Sequence, residues 1–301
     1  MGKLITMIAA DGSVMCHCLD STDMVAKAEQ IHQTSAVVTA ALGRLMTATS
    51  MMGAVLKGED SSVTVRMGGK GPVGVIIAVA DNQGNVRGYA ANPVVELPLN
   101  QYGKLDVKGA VGTDGFLSVI KDFGYGEPYV GQVPIVSGEI AEDITSYYAT
   151  SEQLPTACAL GVLVNPNLTV RAAGGYVAQL LPGADDAAID RLEENLRHLD
   201  PVSTMIDRKM TPQQIAEAVL KGFEPELLSE QQVEYRCTCT RERVERAFLS
   251  MSREDLREMA EDTKETEVNC HFCNKVYRFT PAELQALLAQ SSKTEIGRAH
   301  V

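Results

Sequence analysis

The chain has 301 residues, 45% of them hydrophobic and 22% charged, with no tryptophan and a formal net charge of −12. That length suits one large domain plus one or two small ones, with room for a proper core. The acidic balance, a sequence pI near 4.9, repels phosphate backbones and excludes nucleic acid as a general partner.

The N-terminus, "MGKLITMIAADGSV", has a short apolar run cut off by Asp11. It lacks the length and the small-residue cleavage site of a signal peptide. Lys3 to Ala9 and Ser13 to Cys18 flank Asp11-Gly12, a tight-turn pair, and predict a hairpin. Ser21 or Thr22 caps a short helix through Ile31. From Gln33 to Leu56 the only charge is Arg44. The stretch is long enough to span a bilayer, but it is built from Ala, Thr, Ser, Gly and Met, and a mid-span arginine costs about 2.5–3.5 kcal/mol on insertion. It reads as a buried core helix, and the protein as cytoplasmic with no membrane partner.

From Ser61 to Pro182 strands and turns dominate. "SSVTVRM", "PVGVIIAVA", "VRGYA", "DGFLSVIKDF" and "YVGQVPIVSG" read as strands, "EIAEDITSYYATSEQ" as a helix, and 157–183 as a hairpin turning at Asn165-Pro166-Asn167. Short connections make the pairing mainly antiparallel. After Pro182 the texture turns helical. Ile189, Leu192, Leu196 and Leu199 share one helical face, and Thr211-Pro212 opens another helix with Ile215, Val219 and Leu220 apolar. The predicted fold class is α+β: a mainly antiparallel sheet domain with a long buried helix (1–182), a helical connector (183–232), and a small C-terminal zinc-binding domain (233–292). A tail (293–301) follows. Its last seven residues, "EIGRAHV", read like a translated sequencing adapter, so they are expected to be non-native and the native C-terminus to differ.

In the small unit, Thr240 to Ser250 predicts one helix, and Ser252 with Asp255 caps a second. "TEVNCHFCNKVYRFT" predicts a hairpin with its knuckle at the cysteines. Thr280-Pro281-Ala282-Glu283 opens a last helix through Leu288. The expected core, Val244, Phe248, Leu256, Phe272, Val276, Phe279 and Leu284, is thin for about sixty residues.

Four of the seven cysteines fall in two close pairs, "CTC" (Cys237, Cys239) and "CHFC" (Cys270, Cys273), about thirty residues apart. In a cytosolic chain such usage argues for metal or redox chemistry rather than a disulfide framework. One zinc ion takes four thiolates at tetrahedral corners, with Zn–S about 2.3 Å. An extended "CTC" segment puts both of its thiols on one side, and Arg236 and Arg241 flank it. Metal or nearby arginine keeps such thiols deprotonated and reactive. If the ion leaves, each pair can close on itself. Loss of about 10–16 kcal/mol of metal-binding free energy is more than so small a unit can absorb. Spacing alone leaves a permanent structural knuckle open beside a switch.

The chain resembles the redox-regulated 33 kDa heat-shock chaperone family, bacterial holdases, from about residue 3 to 290. The carriers are "TDMV" (22–25), "ALGR" (41–44), "GAVLKG" (53–58), "GKLDVKGAVGTDG" (103–115), "GQVPIVSGEI" (131–140), "GVLVNP" (161–166), "AAGG" (172–175) and the two cysteine pairs. The resemblance implies a reduced, inactive monomer holding one Zn2+ on Cys237, Cys239, Cys270 and Cys273. It implies that oxidation with mild unfolding stress expels zinc and forms Cys237–Cys239 and Cys270–Cys273 disulfides. The switch unit and connector then unfold, and a homodimer binds unfolding client proteins without ATP. The stripe on the connector is consistent with this, since its release exposes apolar surface.

"CHC" (Cys16, Cys18) is a departure from the family. On a strand the two share a face, and they read either as two small core residues or as an extra metal or redox pair. Cys158 reads as core. "GKGPVG" (69–74) matches G-x-G-x-x-G, but Pro72 and a β-branched run lead into a strand, not a helix, which argues against a nucleotide site. No phosphate-binding G-x-x-x-x-G-K-[ST] occurs. His271 is not needed where four thiolates fill the tetrahedron, and His17, His32 and His198 show no partner pattern. No Ser-His-Asp or Cys-His arrangement points to an enzyme. The competing functions are a thiol-disulfide oxidoreductase, which lacks a thioredoxin-like βαβ context, and a zinc-ribbon interaction module. Nine basic and eleven acidic residues over 233–292 give the latter no basic patch.

Overall fold

The computed structural model describes the backbone of residues 1–262 and 264–298 and the side chains of 1–262 and 264–290. The seven-residue tail expected to be non-native lies, in its side chains, outside the described residues. The chain divides into two compact units, Met1–Arg236 and Cys237–Val301.

In the first unit, β1 (Gly2–Ile8) and β2 (Val14–Asp20) form the predicted hairpin, with Gly12 at φ 71° in the turn. Such a φ suits glycine because it has no Cβ to clash. Helix α1 (Thr22–His32) starts where the Asp20 carboxylate accepts from the Thr22 N–H and hydroxyl. The predicted cap Ser21 instead hydrogen-bonds Thr47 at 2.7 Å. Helix α2 (Ala36–Ala54) is the long small-residue helix, and it is buried around almost its whole circumference. A helix with that pattern belongs inside a core. Gly43 and Gly53 permit the closest approaches, to Val25 and Val162 and to the Ala80–Asp81 backbone. No helix among the described residues is long and apolar enough to cross a membrane.

Next come β3 (Ser62–Gly68), β4 (Val75–Asp81), β5 (Val86–Ala90), α3 (Val107–Val111), β6 (Phe116–Asp122) and β7 (Tyr129–Pro134). They are followed by α4 (Ala141–Tyr147) with a π-type turn at Tyr148–Glu152, β8 (Thr156–Val164) and β9 (Val170–Leu180). Strands β5-β4-β3-β6-β7 make one antiparallel sheet, and β1, β2, β9 and β8 belong to a second, ordered β10-β1-β2-β9-β8. The mainly antiparallel α+β fold class holds. The 69–74 loop leads into β4, a strand, as its β-branched residues require. The short helix α3 has no counterpart in the sequence reading.

The connector region folds as α5 (Asp186–Arg197), α6 (Val202–Asp207), α7 (Pro212–Val219) and a strand, β10 (Glu226–Val233). The strand is a difference from the all-helical reading. β10 pairs antiparallel with β1 from Gly2↔Val233 to Ile8↔Glu226, because the outer edge of β1 has unpaired backbone groups to satisfy. The three helices cover the face of the β1–β2–β9 sheet opposite α2. There Leu192, Val202, Met205, Ile206, Ile215 and Val219 join Ile5, Met7, Val14, Cys16 and Cys18 in a second core. Of the predicted stripe, Leu192 is buried, while Ile189, Leu196 and Leu199 are half-buried.

The second unit contains α8 (Arg241–Leu249), α9 (Arg253–Glu261), the hairpin β11 (Thr266–Asn269) with β12 (Val276–Phe279), and α10 (Pro281–Arg298). The predicted caps Ser252 and Thr280 form, and Thr240, expected as the first residue of its helix, is a cap as well. Thr240 and Ser252 accept from the amides three residues on, and Thr280 and Glu283 make a reciprocal capping box.

Candidate metal centre

Cys270 and Cys273 sit in the turn between β11 and β12. The Cys270 N–H donates to the Lys275 carbonyl at 3.0 Å, and the Asn274 and Cys273 N–H groups donate back to the Cys270 carbonyl at 2.8 and 3.3 Å. Asn274 takes the left-handed conformation (φ 58°) that closes the knuckle, one that asparagine tolerates better than most residues. Cys237 and Cys239 lie in the irregular segment just before the α8 cap, and the Cys239 N–H faces the Cys237 sulfur.

All four Sγ atoms lie within 4.8 Å of one another. Two spacings that cross between the pairs are Cys237–Cys270 at 3.7 Å and Cys239–Cys273 at 3.4 Å. A tetrahedron with Zn–S about 2.3 Å has edges of about 3.8 Å, so the donor set fits one such ion. A disulfide needs about 2.05 Å, and all seven cysteines are unbridged. The four-cysteine group is the one metal-competent cluster of His, Cys, Asp and Glu among the described residues, and His271 stands outside it.

The sulfurs are not equivalent. Desolvation raises Cys239, but hydrogen bonds from the Tyr277 hydroxyl (3.2 Å) and from the other three thiols outweigh it and bring the thiol down to about 7. Cys237 and Cys273 are pushed up, first by desolvation and then by thiol neighbours competing for the same protons. Tyr277 was missed in the sequence. The signal available was strand alternation: Tyr277 shares a face with Phe279, and both are buried. Val276, expected in the core, points outward and is 44% exposed. Phe272 is half-buried rather than a core residue. The core of the unit is Phe248, Leu256, Ala260, Tyr277, Phe279, Leu284 and Leu287, with Val244 packed against it.

The flanking arginines do not serve the thiolates. Arg236 pairs with Glu234 at 2.7 Å. Arg241 binds Glu283 at 2.6 Å and the Arg278 carbonyl at 2.9 Å, with its guanidinium 4.1 Å from the Phe279 ring centroid. Arg241 thus holds backbone and core in place, and the local donors to sulfur are the Tyr277 hydroxyl and backbone amides.

Cys16 and Cys18 lie far along the chain on β2, fully buried, with desolvation pushing Cys16 up to about 12 and Cys18 well above its ordinary value. Cys158 is packed against the main core, and burial pushes it up to about 12. The histidines have partners: His17 bonds Thr6 at 2.9 Å, His32 bonds Tyr235 at 3.2 Å and His198 bonds Glu194 at 2.8 Å.

A family profile described as "Hsp33 protein" matches residues 2–280. The "33 kDa chaperonin" of Bacillus licheniformis is 47% identical over 95% of this chain and 99% of its own length. That of Bacillus subtilis is 45% identical over 97% and 100%. The crystal structure of the 33 kDa chaperonin (heat shock protein 33 homolog) from Thermotoga maritima superposes with a TM-score of 0.87 at 33% identity, over 97% of this chain and 99% of that one.

Proposed function

Because the chain belongs to the Hsp33 family, we propose that it is a redox-regulated, ATP-independent holdase, a binding protein and not an enzyme, acting in the bacterial cytoplasm on unfolding client proteins. The observation that carries the reading is the four-sulfur cluster in a unit with seven buried core side chains among the described residues. Zn2+, when bound to Cys237, Cys239, Cys270 and Cys273, supplies the cross-link that so small a core lacks and keeps the thiolates ionised. The reduced chain is then a closed monomer.

Oxidation links Cys237 to Cys239 and Cys270 to Cys273. Each thiolate pair gives two electrons to one peroxide, whose O–O bond breaks and whose oxygens take two protons from solvent and leave as two waters. The geometry couples this chemistry to opening. Sulfurs of opposite pairs now lie in contact at 3.4 and 3.7 Å, and once each pair is bonded to itself neither is left as a thiolate to share an ion that joins the two halves of the cluster. With the cluster lost, the switch domain (233–292) and then the connector (183–232) leave the core domain (1–182). The second core loses its cover, and apolar surface becomes available for clients and for a homodimer.

Peptide mapping of the peroxide-treated chain tests the pairing, with metal analysis of the reduced chain beside it. The reading expects one zinc per reduced chain, none after oxidation, and two local disulfides. Cross-linked 237–270 and 239–273 peptides would contradict it.

A further inference from the structure

Cys16 and Cys18 belong to neither the metal centre nor the disulfide pairs, yet they occupy a particular place. Both project from β2 toward the face covered by α5–α7, and both are 0% exposed. Cys16 stands opposite Met7 on β1 and Ala178 on β9, and Cys18 opposite Ile5 and Tyr176. β2 is an interior strand held by β1 and β9, so the two thiols stay with the sheet when the connector leaves. Their cover is the connector itself: Leu192 of α5, Met205 and Ile206 of α6, and Ile215 and Val219 of α7 lie in the same cluster. Cys158 differs, since it packs against the α2 side of the molecule.

We propose that Cys16 and Cys18 are a second, conditional oxidation site, uncovered by release of the connector, and that their modification holds the connector off the sheet. The proposal rests on the connector release argued above. Buried thiols do not meet oxidant, whereas exposed ones ionise and react. A thiolate at either position attacks peroxide: the O–O bond breaks, an S–O bond forms, sulfur loses two electrons, and the other oxygen leaves as water once protonated. The product is a sulfenic acid. Held in an interior strand paired on both sides, residues two apart stay about 6.6 Å apart, at the upper end of the Cα range a disulfide accepts, so this pair, unlike Cys237 and Cys239 in their irregular segment, does not readily close on itself. The sulfenic acid instead takes a small-molecule thiol, losing water to give a mixed disulfide. Either adduct adds bulk and polarity to a site that is 0% exposed in the closed chain. The helices cannot then repack. A thiol reductant would have to clear these positions as well as the switch cysteines before the chain closes.

The test uses the full-length, zinc-loaded chain. Peroxide and warming open it, N-ethylmaleimide labels the remaining free thiols, and peptide mass spectrometry reads each cysteine while limited proteolysis reads residues 183–232. The expected result is modification of Cys16 and Cys18, counted as oxidised plus maleimide-labelled peptide, at least about tenfold above the closed chain, as for any site freed by local unfolding, with Cys158 unchanged. Reductant and zinc are then added. Labelled wild type should stay protease-sensitive and keep suppressing aggregation. Unlabelled wild type, and a labelled C16A/C18A variant, should close. A cleaved connector with Cys16 and Cys18 neither oxidised nor labelled overturns the proposal and leaves the switch intact. Closure of labelled wild type at the rate of unlabelled overturns the hold-off. A connector that resists cleavage after zinc loss overturns the switch reading and this proposal with it.

Discussion

Phe279→Ala probes whether the metal holds the switch unit together. Phe279 is 0% exposed. Its ring meets Phe248 edge-on at 5.0 Å and carries the Arg241 guanidinium 4.1 Å from its centroid. Truncating a buried phenylalanine costs about 3–5 kcal/mol, and the aromatic and cationic neighbours place this site toward the upper end. Where the metal-free unit is unfolded, metal affinity contains the folding free energy. A loss of about 4 kcal/mol then appears as a drop in zinc affinity of about a thousandfold. Where the metal-free unit folds alone, the substitution destabilises both forms and the affinity hardly moves. Competition with a chromophoric chelator distinguishes the two. A change below about tenfold, with Phe279→Ala zinc-loaded and otherwise native, refutes the argument that metal binding is the folding energy of this unit.

His17 gives a pH dependence in the first unit. Burial lowers it from 6.5 to about 4, and its Nε2 has no hydrogen-bond partner among the described residues. The folded value lies below the unfolded one, so the unfolded chain takes up the proton first, and stability is lost as pH falls from about 6.5 to 4, by about 3 kcal/mol. In His17→Gln, urea unfolding at pH 7 and pH 4 should differ by that much less; an unchanged difference contradicts the assignment. Leu192→Ala removes a buried side chain from the connector (6% exposed) at a cost of about 2–5 kcal/mol. It should make 183–232 protease-sensitive at a lower temperature without changing zinc content, and an unchanged cleavage temperature counts against the connector's dependence on that face. Tyr277→Phe removes a donor to Cys239 and should lower zinc affinity about 10–100-fold, as for other partners of metal ligands; unchanged affinity in a natively folded variant would show that the hydroxyl does not support the site.

Local signals were legible where local chemistry decides structure. The Asp11-Gly12 turn, the Thr211, Ser252 and Thr280 caps and the small-residue helix each follow from short-range rules, and each forms. The two cysteine pairs were legible because metal-ligand spacing survives without knowledge of the fold. β10 was not: "ELLSEQQV" has no alternation, and its strand exists because β1, two hundred residues earlier in the chain, offers an unpaired edge. The exposed Leu227 and Leu228 gave no periodic signal for the same reason. The roles of Arg236 and Arg241 were misread because adjacency in sequence is not adjacency of side chains; carboxylates at Glu234 and Glu283 claim them. The pair Cys16 and Cys18 was read as core or as a redox pair, and only the sheet topology shows that its cover is the connector.

The central claim is that the four cysteines are a switch rather than a clamp. Zinc release and client aggregation followed together in one sample test it most directly: the reduced, zinc-loaded chain is treated with peroxide under mild heat beside an unfolding client, with a chelating dye for the metal and light scattering for the client. The account predicts that zinc release and suppression of aggregation rise together and that both reverse with a thiol reductant and zinc. Zinc leaving while aggregation proceeds unchecked, or equal suppression by the reduced zinc-bound chain, would contradict it.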